Sequence, residues 1–265
     1  MIAPFMQVVW AEARREIGHV RAYLVEFLAD QALFLLGFLL LSGLFQIVAE
    51  GGYTSEAQLA SLVGFLTWRV ADGCLLRTVN SLAEDAQWGT LEQVWMGGLS
   101  PQSILIARGA VILVAYVIRV LIIAAILIAL LRLSPHYPLG TTLIFLLTQI
   151  GVFGAAYVVT ALHLVYKSVA AITLALSTAL LFVTGALAPL SEGGLMYSVS
   201  RLLPLGAGIS LLQKMIAGGA SLAEVAAEPD FYWLLVTAVA YSLAAWMVLG
   251  WAQRVARRDG SLAHY

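Results

Sequence analysis

Six stretches of this chain are long and apolar enough to be bilayer-crossing segments, and they constrain the fold more than any other feature. They run over residues 25–48, 59–80, 103–131, 140–165, 168–190 and 231–252. A hydrocarbon core of about 30 Å takes roughly 20 helical residues to cross. Lipid offers the backbone no hydrogen-bonding partner, so each stretch is expected as a helix. The fold class predicted is an all-α integral membrane protein with six transmembrane helices. Charge content agrees: 11% of residues are charged, where a soluble domain carries about 25%. Only His163, Tyr166 and Lys167 interrupt the apolar run between the fourth and fifth segments. The boundary is placed there because one unbroken helix over 140–190 would far exceed the membrane thickness.

Before the first span, residues 1–24 read as an interfacial helix. Charged residues fill positions 12–21, which excludes a secretory signal. At 100° per residue Val9, Ala13, Ile17, Val20 and Leu24 share a face with Trp10 at its edge, while Arg14, Arg15, His19 and Arg21 lie opposite. With the N-terminus inside, Arg14, Arg15, Arg21, Lys167, Arg254, Arg257 and Arg258 are cytoplasmic, against Arg132, Arg201 and Lys214 outside. That is the positive-inside pattern of a multi-pass protein with both termini cytoplasmic. The whole chain, 1–265, reads as one transmembrane domain: interfacial helix 1–24, core 25–252 and cytoplasmic tail 253–265.

Between the fifth and sixth spans Leu195 to Leu203 and Leu205 to Ala217 are apolar helices too short to cross, broken at Pro204-Leu205-Gly206. They are expected as an external re-entrant hairpin, since a water-exposed loop would leave much Leu, Ile and Met bare.

Several function classes fall away. A net charge of −1 gives no basic surface for nucleic acid. Cys74 is alone, and the four histidines have no metal-ligand spacing. The two lysines, Lys167 and Lys214, lie outside any phosphate-loop motif, so no nucleotide or other cofactor is expected on this chain. No nucleophile and base stand at matched depth, as a lipid enzyme would need.

Charges inside the spans call for a reason. Asp72 lies 13 residues below Leu59, and Arg119 lies 12 below Leu131. Both are therefore about 18–20 Å from the outer edge, with Arg69 one turn from Asp72. A cluster of Arg69, Asp72 and Arg119 is expected between the second and third spans. It would serve either as a contact for anionic cargo or a gate, or as a tie between helices, the tie being the simpler reading. Near the inner edge Glu26 and Asp30 are placed to meet Arg77 and Arg108, unless those arginines simply snorkel to the headgroups. Ala171, Ala175 and Ala179 form a small-residue face for a second copy or a neighbouring helix.

The loop between the second and third spans, residues 81–101, carries the strongest local signal. Thr90 and Gln93 have capping-box spacing, and Leu91, Val94 and Trp95 share one helical face. Gly97-Gly98 ends this helix of about two turns, and Ser100-Pro101 supplies an N-cap and a Pro at N1 for the next. The string E-D-x-x-x-G-T-L-E-Q-x-W-x-x-x-L-S resembles the cytoplasmic coupling segment of the ABC-2 family, the permeases of type-2 ABC exporters. Gly89, Thr90, Leu91, Glu92 and Leu99-Ser100 match its motif. Gly97-Gly98 departs from the Ser-Pro or Thr-Pro common in relatives and loosens the helix exit. The interfacial helix and the hairpin extend the resemblance to essentially the whole chain.

That resemblance implies a non-catalytic membrane subunit working as a pair with two separate ATPase subunits. ATP and magnesium would sit on the ATPase, and a lipophilic or amphipathic cargo would move outward. Gly89, Thr90, Leu91, Glu92, Gln93, Val94 and Trp95 would form the coupling surface. The second permease would be an identical or related copy, and the remaining partner is membrane lipid. Two other classes stay open on residues alone: an ion-coupled carrier using Asp72, and a non-transporting scaffold.

Overall fold

The computed structural model describes residues 2–48, 54–87, 100–166, 170–191 and 193–258, and among them it contains ten helices. α1 (Ile2–Ala22) and α2 (Leu24–Val48) are separated only by Tyr23. α3 (Ser55–Gln87) is capped by Thr54, whose hydroxyl accepts from the Ala57 N–H at 3.2 Å. Its 33 residues span about 50 Å, far more than a bilayer core. The expected span 59–80 is therefore only the middle of a longer rod.

α4 (Pro101–Leu131) starts as the sequence predicts. Ser100 is its N-cap and accepts from the Ser103 N–H at 3.2 Å, with Pro101 in the first turn. It stops at Arg132, which takes a left-handed conformation (φ 53°) and bonds back to the Ile128 carbonyl. α5 (Thr141–Tyr166) follows the short Pro135–Pro138 connection.

The expected fifth span, 168–190, differs. Its described helix, α6 (Ala170–Val183), has 14 residues, about 21 Å of rise and short of a bilayer core. Thr184 turns its hydroxyl back to the Leu180 carbonyl, and Gly185 adopts φ 75°, which ends the helix well before Pro189. α7 (Leu195–Leu202) and α8 (Gly206–Ile216) are bent by 107° at the expected Pro204 break. Gly206 makes the bend feasible, since a Cβ there would lie 2.1 Å from the Ser200 carbonyl oxygen. α9 (Leu222–Ala226) carries a complete Ser221–Glu224 capping box. α10 (Pro229–Arg258) continues as helix through the expected tail from 253 to Arg258, and residues 259–265 lie outside the described residues.

Five of these helices, α2, α3, α4, α5 and α10, are long and apolar enough to cross a bilayer, or six spans if the bent α7–α8 pair counts as one. The chain is a multi-pass membrane protein. α3 forms its axis, with Leu62, Leu75 and Leu82 at most 2% exposed among α4, α5, α6 and α8. α5 lies against α10 closely enough that a Cβ on Gly154 would meet the Tyr241 backbone at 2.5 Å. α8 wedges into the same core with Ile209, Leu211 and Met215 fully buried. By contrast α2 touches the bundle along one line through Phe34 and Phe38, leaving Leu33, Leu40 and Ile47 outward for lipid.

Candidate functional site

The described residues concentrate charge along α3, in three layers. Nearest the hairpin, Arg69 is bonded to Asp30 of α2 and, at 3.1 Å, to Asp72 one turn on. Asp72 also accepts from the Ser177 hydroxyl of α6, whose carbonyl receives the Trp68 indole N–H at 3.1 Å. The Arg69 guanidinium lies 5.1 Å over the Phe34 ring. One buried acid thus ties α3 to α6, and through Arg69 to α2.

In the middle layer Glu16 of α1 bridges Arg77 of α3 at 3.3 Å and Arg119 of α4 at 2.8 Å. Arg119 is held between the rings of Phe27 (5.0 Å) and Tyr116 (4.6 Å). The last layer lies where α3 ends and α4 begins. Arg108 donates to Glu12 at 2.9 Å and to Asp85 at 2.7 Å. Arg77 reaches Glu84 at 2.9 Å, and Arg15 lies 3.3 Å from Glu84 and 3.0 Å from Asp85. In these two layers four carboxylates (Glu12, Glu16, Glu84, Asp85) face four guanidiniums (Arg15, Arg77, Arg108, Arg119), so the set is neutral. Most are under 15% exposed, where unpaired charge is costly and paired charge fixes position.

The sequence expectations divide accordingly. Arg69 and Asp72 come together, but Arg119 pairs with Glu16 rather than with Asp72. Arg77 and Arg108 find Glu16, Glu84, Glu12 and Asp85 in place of Glu26 and Asp30, and Asp30 goes to Arg69. The cause is the rotation of α1. Its inward face is Glu12, Arg15 and Glu16, not the apolar line through Ile17, which is 51% exposed. The available signal was the i, i+4 pair Glu12–Glu16 with Arg15 beside it. The coupling residues Gly89, Thr90, Leu91, Glu92, Gln93, Val94 and Trp95 lie outside the described residues. Their flanks are described: Glu84 and Asp85 before them and Ser100-Pro101 after them are held as above.

At the other end of the bundle a cavity of about 530 Å³ opens beneath the hairpin. Its wall is organised by Asp230, whose side chain is 1% exposed. Tyr197 donates to it at 3.0 Å, Arg201 at 2.6 Å and Ser210 at 2.8 Å, joining α7, α8 and α10. Lys214 and Glu228 pair at 2.5 Å on the rim. Gln213 donates to the Ala60 and Gly185 carbonyls at 3.1 and 3.0 Å, pinning α8 to α3 and to the end of α6. A second cleft of about 540 Å³, lined by Leu62, Leu66, Val120, Phe145 and Leu212, lies between α3, α4, α5 and α8 and is mostly apolar. Sequence reasoning missed both, because each is assembled from residues distant in the chain.

No curated protein matches this chain. A family model described as ABC-2 family transporter protein matches residues 50–247, three-quarters of the chain, covering α3 through most of α10. The chain belongs to the ABC-2 family of transporter proteins.

Proposed function

We propose that the chain is the permease subunit of an ATP-driven exporter that moves a lipophilic or amphipathic cargo outward. A separate ATPase docks on residues 90–96, and a second permease copy completes the transport route. Both termini and the α3–α4 end face the cytoplasm in this reading, as the basic residues suggest. The observation that carries it is the pair of ionic layers, neutral together, that joins α1, α3 and α4, the last layer lying at the two ends of residues 88–99. A push on that segment would move three helices as one body, because separating them would unpair buried charges. An ion-coupled carrier is disfavoured: Asp72 is enclosed by Arg69 and Ser177 on an unbroken helix, not poised in a broken one.

The test is co-purification with the ATPase and cargo-stimulated hydrolysis in liposomes. Trp95→Ala removes the aromatic anchor of the expected docking face and is expected to cost about 2 kcal/mol or more of association. Glu92→Gln, a rim charge, costs less and changes the salt dependence. Wild-type association and hydrolysis in both Trp95→Ala and Leu91→Ala would refute the coupling role.

A further inference from the structure

The rotation of α1 sorts its charges into two sets. Every acid of the helix, Glu12 and Glu16, is turned inward to arginines of α3 and α4, together with Arg15. The opposite face is exposed and is itself divided into two strips. Met6, Trp10 and Ile17, 57%, 62% and 51% exposed, form one strip at helical spacing. Arg14 and Arg21, both exposed, form the adjoining strip. Among the described residues neither arginine is in an ion pair, and the Arg14 guanidinium lies 5.8 Å over the Trp10 ring. Beyond Tyr23 the chain enters α2 with Leu24 and Val25 bare, 51% and 82% exposed, so this face runs into a membrane-crossing helix.

We propose that this outer face of α1 is a binding surface for anionic phospholipid. An interfacial helix needs an apolar strip for the acyl boundary and a cationic strip for the headgroup layer, and α1 has both side by side. The sign is set by what the inward face removes. With Glu12 and Glu16 consumed by the protein's own arginines, the charge left to the bilayer is cationic, so an anionic headgroup is preferred over a zwitterionic one. Trp10 sits at the seam, its ring under Arg14 and its body toward the lipid. This surface does not depend on the exporter reading and would hold for any membrane role of the chain.

The test uses the full-length protein in phosphatidylcholine vesicles that carry a small fraction of brominated phosphatidylglycerol or, in parallel, of brominated phosphatidylcholine. The Trp10 signal is the fluorescence difference between wild type and Trp10→Phe. The fraction of brominated lipid that halves this signal is expected to be lower for phosphatidylglycerol, by about fivefold per arginine. Arg14→Gln/Arg21→Gln brings the two curves together, with the melting temperature unchanged because neither residue belongs to the inner ionic layers. Salt at about 1 M, where the Debye length is about 3 Å, does the same in wild type. Coincident curves in wild type at low salt would overturn the proposal and leave an apolar anchor only. Absence of Trp10 quenching by either lipid would overturn it too, placing the face against water or another protein.

Discussion

Glu16→Gln is the sharpest probe of the ionic layers, because one carboxylate serves two guanidiniums from two helices. The amide keeps the shape of the side chain and removes its charge. Arg77 still has Glu84 at 2.9 Å, but Arg119 keeps only the rings of Phe27 and Tyr116. Removing one partner of a buried pair costs about 3–5 kcal/mol. The surviving Glu84 contact and the ring contacts place this case near the lower bound, about 3 kcal/mol. For a chain of this size that is a fall of roughly 6–12 °C in melting temperature. The control is Asp30→Asn. Asp30 also pairs with an arginine, but Arg69 keeps Asp72 at 3.1 Å when Asp30 is neutralised, so no guanidinium is left without a carboxylate and the loss is expected to be smaller. Thermal unfolding in lipid nanodiscs measures both. Adding Arg119→Gln to Glu16→Gln should return part of the loss, since the charge left unpaired is then gone. If Glu16→Gln melts like wild type or like Asp30→Asn, the layer is an exposed set of ion pairs and the desolvation reasoning fails.

Two further perturbations follow from the geometry. Asp72→Asn leaves Arg69 with only the exposed Asp30, and a loss of about 3 kcal/mol is expected in the same melting assay; Arg69→Gln should recover part of it, while Arg119→Gln should not, because Arg119 belongs to Glu16. Gly206→Ala puts a methyl carbon where the Ser200 carbonyl lies 2.1 Å away and is expected to destabilise by about 1–3 kcal/mol, whereas Gly37→Ala, with open space around it in α2, should be neutral or stabilising by up to about 1 kcal/mol; equal melting of the two variants would mean the hairpin bend needs no close approach.

What could be read from the sequence is what local chemistry decides. Ser100-Pro101 fixes the start of α4, and Pro204 with Gly206 fixes the break in the hairpin, because caps and steric limits act over a few residues. α3 runs past the apolar stretch 59–80, where hydropathy ends the span because polar residues begin. Glu84 and Asp85 are polar, yet both continue the helix, paired with Arg77, Arg15 and Arg108. The shortness of α6 rests on the positive φ of Gly185, invisible in an apolar run that reaches Leu190. The charge partners were the hardest. Depth along a helix can be counted, but the rotation of α1 that replaces Asp72 with Glu16 as the partner of Arg119 is set by packing against α4. The Asp230 group joins Tyr197, Arg201 and Ser210 across the hairpin, whose break the sequence marks at Pro204 but whose 107° angle it does not.

The three layers on α3 differ in what they join, and that difference bears on how motion would pass through the chain. The two layers at the α3–α4 end hold α1, α3 and α4 in one register with balanced charge. Buried balanced pairs add little net stability over apolar packing, but any relative slide that separates them leaves a charge bare. They therefore act as a clamp rather than as glue. The layer at Arg69 and Asp72 joins α3 to α6 through Ser177, whose hydroxyl donates to Asp72 and whose carbonyl accepts from the Trp68 indole. Neither bond pairs opposite charges across the two helices, so a slide of α6 leaves the Arg69–Asp72 pair intact, and this junction can yield where the clamp cannot. α6 also presents exposed Ala171 and Ala175 away from its own core, on the side opposite Ser177 and Thr173. Under the exporter reading, a displacement entering at residues 88–99 would carry α1, α3 and α4 together and be taken up at α6. The described part of that helix is short for a bilayer span and is ended by Gly185, beside the polar cavity beneath the hairpin. The yielding element and the outer cavity thus share the Gly185 turn, through the Gln213 amide that bonds its carbonyl.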